Sequence, residues 1–119
     1  MIEVDAAAVL RAHVDAFNAR DLDALMAGFT EDASWVTGTS RVQGRAELTE
    51  LFAGAMEGLL PTLVIHELLA EGDRAACEMT ETLTVDGEER SFAIAGFYRL
   101  REGRIAAAKI YREGSAELD

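Results

Sequence analysis

The sequence predicts an α+β fold in which helices cover one face of a curved antiparallel sheet. Two observations carry this reading. Apolar residues recur at 3- and 4-residue spacing up to Pro61 and at every second residue after it. The order, helices first and a meander of strands last, is that of a segregated α+β chain.

The first helix is written by Ala6, Val9, Leu10, His13, Val14 and Phe17, which form one stripe with Arg11, Asp15 and Asn18 off it. Asn18-Ala19-Arg20-Asp21 breaks the pattern, and Asp21 is a good N-cap for a second, short helix. That helix has its own stripe of Leu22, Leu25, Met26 and Phe29 and ends at Thr30-Glu31-Asp32. Ala33 to Thr37 reads as a short extended segment that adds an edge strand. Gly38-Thr39-Ser40 and Gly44 mark a loop. A third helix starts near Arg45, with a stripe of Leu48, Leu51, Phe52, Ala55 and Leu59, and Gly58 and Pro61 punctuate its end. Four strands then follow as a meander: Thr62 to Leu69, Ala75 to Val85, Ser91 to Leu100 and Ile105 to Tyr111. Their turns are Ala70-Glu71-Gly72-Asp73, the hairpin signal Asp86-Gly87, and Arg101-Glu102-Gly103-Arg104.

With 119 residues the chain reads as one domain, 1–119, with 50% hydrophobic residues, enough for one core. A net charge of −11 argues against nucleic acid and anionic membrane as partners, since both need clustered Lys and Arg. No apolar run nears the roughly 18 residues of a membrane span. Met1-Ile2-Glu3-Val4-Asp5 lacks the features of a signal peptide. Cys77 is the only cysteine, which excludes an internal disulfide and cysteine-based zinc sites and points to a cytoplasmic setting. Two distant histidines make a weak case for any metal. No phosphate loop, nucleophile elbow or dinucleotide fingerprint is present, and no cofactor is implied.

The run from Ala16 to Leu25, Ala-Phe-Asn-Ala-Arg-Asp-Leu-Asp-Ala-Leu, resembles the opening of SnoaL-like proteins, within the nuclear transport factor 2 and ketosteroid isomerase superfamily. The likeness continues through Phe29-Thr30-Glu31-Asp32-Ala33, Gly44-Arg45-Ala46-Glu47 and Phe97 to Ile105, and so covers nearly the whole chain. It implies a cone-shaped sheet wrapped around a long helix, with an apolar pocket inside. Many relatives look dimeric through the outer face of the sheet. The superfamily holds isomerases, cyclases, hydrolases, dehydratases and pure binding modules, so fold alone does not give function.

Ketosteroid isomerases use a carboxylate base with a tyrosine and a protonated aspartic acid as oxyanion donors. Aligned on the shared segments, the tyrosine falls on His13, the base on Thr37 and the aspartic acid on Gly96. Threonine is no carboxylate and glycine has no donor, so the resemblance implies that their proton shuttle is absent here.

His13 lies on the apolar stripe of the first helix, where an imidazole can act as acid, base or donor. A core histidine satisfied by a polar neighbour is the alternative. Glu81 is the one polar member of the alternating set Ala75, Cys77, Met79, Glu81, Leu83 and Val85. An inward carboxylate is costly unless paired or functional, and a structural bond to Arg112 is the alternative. Tyr98 alternates with Phe92, Ile94, Gly96 and Leu100, and its hydroxyl can reach a ligand while its ring packs. Trp35 shares a face with Thr37, a weak donor. The last strand splits into two sets, and the resemblance points Ala106, Ala108, Ile110 and Arg112 inward. His66 shares a face with Val64 and Leu68 and reads as structural or as a subunit contact. Cys77 reads as a buried small hydrophobe.

The chain is therefore expected to hold a small, mainly apolar organic molecule in a pocket lined by Phe17, Trp35, Thr37, Phe52, Met56, Met79, Ile94, Tyr98 and Arg112. As an enzyme it would run cofactor-independent isomerisation, cyclisation or water addition, with His13 and Glu81 exchanging protons and His13 or Arg112 compensating Glu81. A non-catalytic ligand-binding or dimerisation module is the rival. A homodimer is expected through the outer face carrying Glu78, Thr80, Thr82 and Thr84.

Overall fold

The computed structural model describes residues 5–58 and 61–113. The N-terminal reading on residues 1–4 and the place of Leu59 in the third helix lie outside the described residues. Three helices precede most of the sheet: α1 (Ala6–Asn18), α2 (Leu22–Ala27) and α3 (Arg45–Glu57). The strands are β1 (Phe29–Thr37), β2 (Ser40–Gln43), β3 (Thr62–Glu71), β4 (Arg74–Val85), β5 (Glu88–Arg101) and β6 (Arg104–Arg112). They form one sheet in the order β2-β1-β6-β5-β4-β3.

Local chemistry accounts for the helix boundaries. The Asp5 carboxylate accepts from the Ala7 N–H at 3.0 Å, and Asp21 accepts from the Ala24 N–H at 3.1 Å, so each short helix has its N-cap. Two β-hairpin turns have both central residues at positive φ, as the twist of paired strands demands: Asp86 (52°) with Gly87 (80°), and Glu102 (52°) with Gly103 (75°).

Three expectations are corrected. The second helix stops at Ala27, and Phe29 and Thr30 already belong to β1, although Phe29 continues the helical stripe of Leu22, Leu25 and Met26. Tertiary pairing decides this: Phe29 sits opposite Ile105, and the Ile105 N–H donates to the Gly28 carbonyl at 2.8 Å. Second, the Trp35 segment is not an edge. β1 runs parallel to β6, and β2, which reads as a loop in the sequence, folds back on β1 to form the edge. The sheet is therefore mixed, with an antiparallel meander β3–β6 and one parallel pair. A four-residue strand with a single apolar residue, Val42, is too short to show a period. Third, Val64, His66 and Leu68 do not share a face. A bulge between Ile65 and Glu67 turns Leu68 toward the core and leaves Val64 exposed.

The alternation of β4 is as expected, with Ala75, Cys77, Met79, Glu81 and Leu83 inward. β6 turns Ala108 and Ile110 inward, and a bulge at Arg99/Leu100 turns Ile105 inward as well. The helices pack on this inner face, where Leu10, Leu25, Phe29, Leu48, Met79 and Ile105 are fully buried. Asn18 ties α1 to the β3 edge. Its amide donates to the Leu63 carbonyl and accepts from the Leu63 N–H, both at 2.8 Å. Arg20 adds donations to the Phe17 and Pro61 carbonyls. Outside, the Arg101 guanidinium meets Asp32 at 2.5 Å and holds its carboxyl below the usual range.

Candidate functional site

α1, β1, α3 and β5 bring four aromatic rings around His13. Phe29, Trp35, Tyr98 and Phe52 have centroids 5.5, 5.8, 6.1 and 6.4 Å from the imidazole. Phe29 and Trp35 come from β1, which docks parallel on β6, Phe52 from α3 and Tyr98 from β5. The imidazole is 6% exposed, and its Nδ1 has no hydrogen-bond partner among the described residues. Burial lowers its pKa from 6.5 to about 4, so the ring is neutral at pH 7. A neutral imidazole presents one N–H and one lone pair.

Tyr98 leans back over Gly96. A side chain at position 96 would meet the Tyr98 hydroxyl and ring, so that Tyr98 would have to shift to admit it. The phenol thus occupies the space that a longer residue at position 96 would fill. Burial pushes its pKa well above its ordinary value, so it stays a protonated donor. The Cys77 thiol approaches the Tyr98 oxygen at 4.0 Å, and burial raises the thiol's pKa too. Cys77 is a buried, free thiol, as the alternation of β4 predicts.

Glu81 is inward, 8% exposed, and its partner is Arg112 at 2.5 Å. The contact is an ion pair without hydrogen-bond alignment, since Oε1 has no hydrogen-bond partner. Burial raises the carboxyl's pKa, and Arg112 offsets part of that. Arg112 is half-exposed and its guanidinium lies 5.5 Å from the Phe92 ring centre. Glu81 lies four residues along β4 from Cys77, or about 13 Å of strand. Among the described residues no hydrogen bond or ion pair joins His13 to Glu81. Of the two expected compensating groups, His13 and Arg112, it is Arg112 that meets the carboxylate.

The remaining expected lining residues divide by depth. Phe17, Met79 and Ile94 are buried, and Phe17 meets Phe52 at 6.1 Å. Met56 and Thr37 are half-buried, on α3 and at the end of β1. His66 is exposed, with Nε2 2.6 Å from the Thr80 hydroxyl, and lies away from the aromatic cluster. Asn18 and Arg45 were missed by the sequence reading. Arg45 donates to the Phe29 carbonyl at 2.7 Å and so holds the wall of the cluster. No periodic signal marks either residue, because both lie off their helix stripes.

Among the described residues no three His, Cys, Asp or Glu side chains group as metal ligands. No helix there is long and apolar enough to cross a membrane.

No functionally curated protein matches the chain significantly. Solved structures do. An epoxide hydrolase from M. tuberculosis, described as LEH-like, superposes with a TM-score of 0.84 at 23% identity, over 91% of this chain and 82% of that one. A putative polyketide cyclase from Xanthomonas campestris pv. campestris gives 0.83 at 22% identity, over 89% and 88%. A putative ketosteroid isomerase from Kribbella flavida gives 0.82 at 22% identity, over 96% and 82%. At such identities the likeness shows the fold. The model of the SnoaL-like domain matches residues 10–108, and by that match the chain belongs to the SnoaL-like family.

Proposed function

We propose that this single-domain protein holds a small, mainly apolar organic molecule bearing a carbonyl, epoxide or hydroxyl oxygen, and that His13 meets this oxygen. One observation carries the reading: a neutral imidazole nitrogen, buried among four aromatic rings, has no partner among the described residues. An unmet buried polar atom costs about 1–3 kcal/mol, which a ligand oxygen recovers. Tyr98, protonated and leaning over Gly96, supplies a second neutral donor. The ligand's apolar body packs on Trp35, Phe52 and Met79.

In the catalytic form of this reading, Glu81 is the proton-exchanging group. A carboxyl with a raised pKa is closer to the working range of a general acid or base. Arg112 holds it and faces solvent, so protons exchange at the rim. The reaction class is cofactor-independent isomerisation, cyclisation or water addition, in line with the epoxide hydrolase and cyclase neighbours. The protein acts in the cytoplasm with its thiol reduced. Two copies pair through the outer surface around Glu78, Thr80, Thr82 and Thr84, and light scattering giving a monomer mass at high concentration would refute that pairing.

A non-catalytic binding module is favoured by one specific fact. Glu81 is paired with Arg112 while His13 sits among aromatic rings with no link to it, and Thr37 and Gly96 carry no acid or base. Thermal melts with a panel of small cyclic enones, epoxides and alcohols test the shared part. At least one class is expected to raise the melting temperature of wild type but not of His13→Phe or Tyr98→Phe. A shift that survives both substitutions removes the proposed site. Turnover of the stabilising class that disappears in Glu81→Gln, with binding kept, selects the enzyme over the module.

A further inference from the structure

On the outer face of the sheet, two strand pairs set like charges directly opposite each other. Arg74 faces Arg99 across β4 and β5, and Glu67 faces Glu78 across β3 and β4. Each such pair repels and is destabilising on its own. Among the described residues none of these four side chains forms an ion pair. Between the two pairs runs the row Leu69, Ala76, Phe97, Lys109. Leu69 and Phe97 are 64% and 55% exposed, and Tyr111, whose ring centre lies 5.8 Å from that of Phe97, is 50% exposed. With Val64, four of the five large hydrophobic side chains exposed among the described residues lie on this one face. Along the strands the face therefore reads cationic, apolar, acidic, with Glu71 beside Arg74 as the exception. A groove of about 740 Å³ follows its cationic end.

We propose that a second copy of the chain covers this face about a two-fold axis lying along the Leu69, Ala76 and Phe97 row, so that the cationic row of each copy meets the acidic row of the other. Such an axis lays each strand over its own counterpart in the opposite direction, and the contact repeats on both sides. Arg74 then faces the partner's Glu78, Phe97 packs on the partner's Phe97, and Arg99 lies one strand away from the partner's Glu78. A two-fold along the strands instead lays each cationic row on the partner's cationic row, which disfavours it. Aligned sheets cross at about 30°, which one row from the axis, or about 7 Å, displaces the contact by about 3–4 Å, less than one strand spacing. The Lys109 ammonium lies 5.0 Å from the Tyr111 ring centre, drawn off the axis toward the acidic side. Glu71 comes opposite the partner's Glu67 on the edge strand β3, where both are exposed. Two chains of net charge −11 repel at a distance, so their pairing depends on this local match. The register rests on the pairing of two copies proposed above and moves its centre from the threonine ladder to Ala76 and Phe97.

Sedimentation equilibrium of wild type, Arg74→Glu and Glu78→Arg tests the register. Wild type is expected to be a dimer. Each substitution sets like charge against like at both symmetry-related contacts and is expected to weaken the dimer at least tenfold. Each also relieves a like-charge pair within its own chain, so the melting temperature of the dilute monomer stays level or rises, which separates loss of the interface from misfolding. An equimolar mixture of the two variants restores opposite charge at both contacts and is expected to form a mixed dimer at least tenfold tighter than either variant with itself. Phe97→Asp, at the axis, weakens the dimer at least tenfold as an independent variant. A wild type that stays monomeric at high concentration removes the pairing and the register with it, and a monomer stabilised by decanoate then gives the face to an organic anion. A wild-type dimer whose affinity is unchanged in the single variants, or a mixture no tighter than the variants alone, overturns the register while the pairing stands.

Discussion

Acidification measures how completely His13 is sealed. Its pKa falls from 6.5 to about 4 on burial. The unfolded chain takes up a proton at this ring below 6.5, and the folded chain only below about 4. Over that window the unfolded state binds more protons, so stability rises with pH. The contribution is fully present above 6.5 and is lost as pH falls toward 4. A displacement of about 2.5 units at about 1.4 kcal/mol each is about 3 kcal/mol, a large share of a domain's ~5–15 kcal/mol. Unfolding entropy near 2.1 cal/mol/K per residue gives about 250 cal/mol/K for 119 residues, so 3 kcal/mol is about 12 °C in Tm. Glu81 acts with the opposite sign. Its raised pKa makes the folded state hold the proton longer, so its contribution falls as pH rises above the ordinary carboxyl range. Comparing wild type with His13→Phe removes that background. Wild type is expected to lose about 12 °C more than His13→Phe between pH 7 and pH 4, measured by calorimetric melts. Parallel profiles, or an imidazole whose NMR signals titrate near 6.5, would refute the reasoning.

Three further outcomes follow from the packing. Gly96→Ala drives a methyl into the Tyr98 ring and is expected to cost about 1–3 kcal/mol by urea unfolding, whereas in a Tyr98→Ala background it costs almost nothing. Asn18→Ala strips both hydrogen bonds from the Leu63 backbone, for about 1–3 kcal/mol, and increases amide exchange at the start of β3. Arg112→Met leaves Glu81 without its cation and destabilises by about 1–2 kcal/mol at pH 7, less than for a fully buried pair because Arg112 is half-exposed. That loss shrinks as pH drops through the raised Glu81 pKa, and it is absent in a Glu81→Gln background.

The helix stripes, the hairpin turns and the inward set of β4 were legible in the residues alone, because period and turn chemistry are local properties. Leu10, His13, Val14 and Phe17 are buried as their spacing predicts. Asp86-Gly87 takes the positive φ pair that its chemistry favours. Glu81 stood out as the one charge in an apolar alternation, and it is inward. What stayed hidden depends on contacts between distant segments. Phe29 fits a helical stripe, yet β6 offers it an open strand edge, and the hydrogen bonds gained there outweigh one more turn of α2. The bulges at Ile65/Glu67 and Arg99/Leu100 shift the faces of β3 and β6, and period counting assumes no such shift. The partner of Glu81 was decided the same way, since only the sheet register brings Arg112 across β5 to it. So was the unmet nitrogen of His13. The sequence alone marked an imidazole on an apolar stripe, but whether a polar group answers it depends on which side chains three other elements deliver to that spot. They deliver Phe29, Trp35, Phe52 and Tyr98, whose ring faces and edges bury the imidazole and leave Nδ1 without a hydrogen-bond partner.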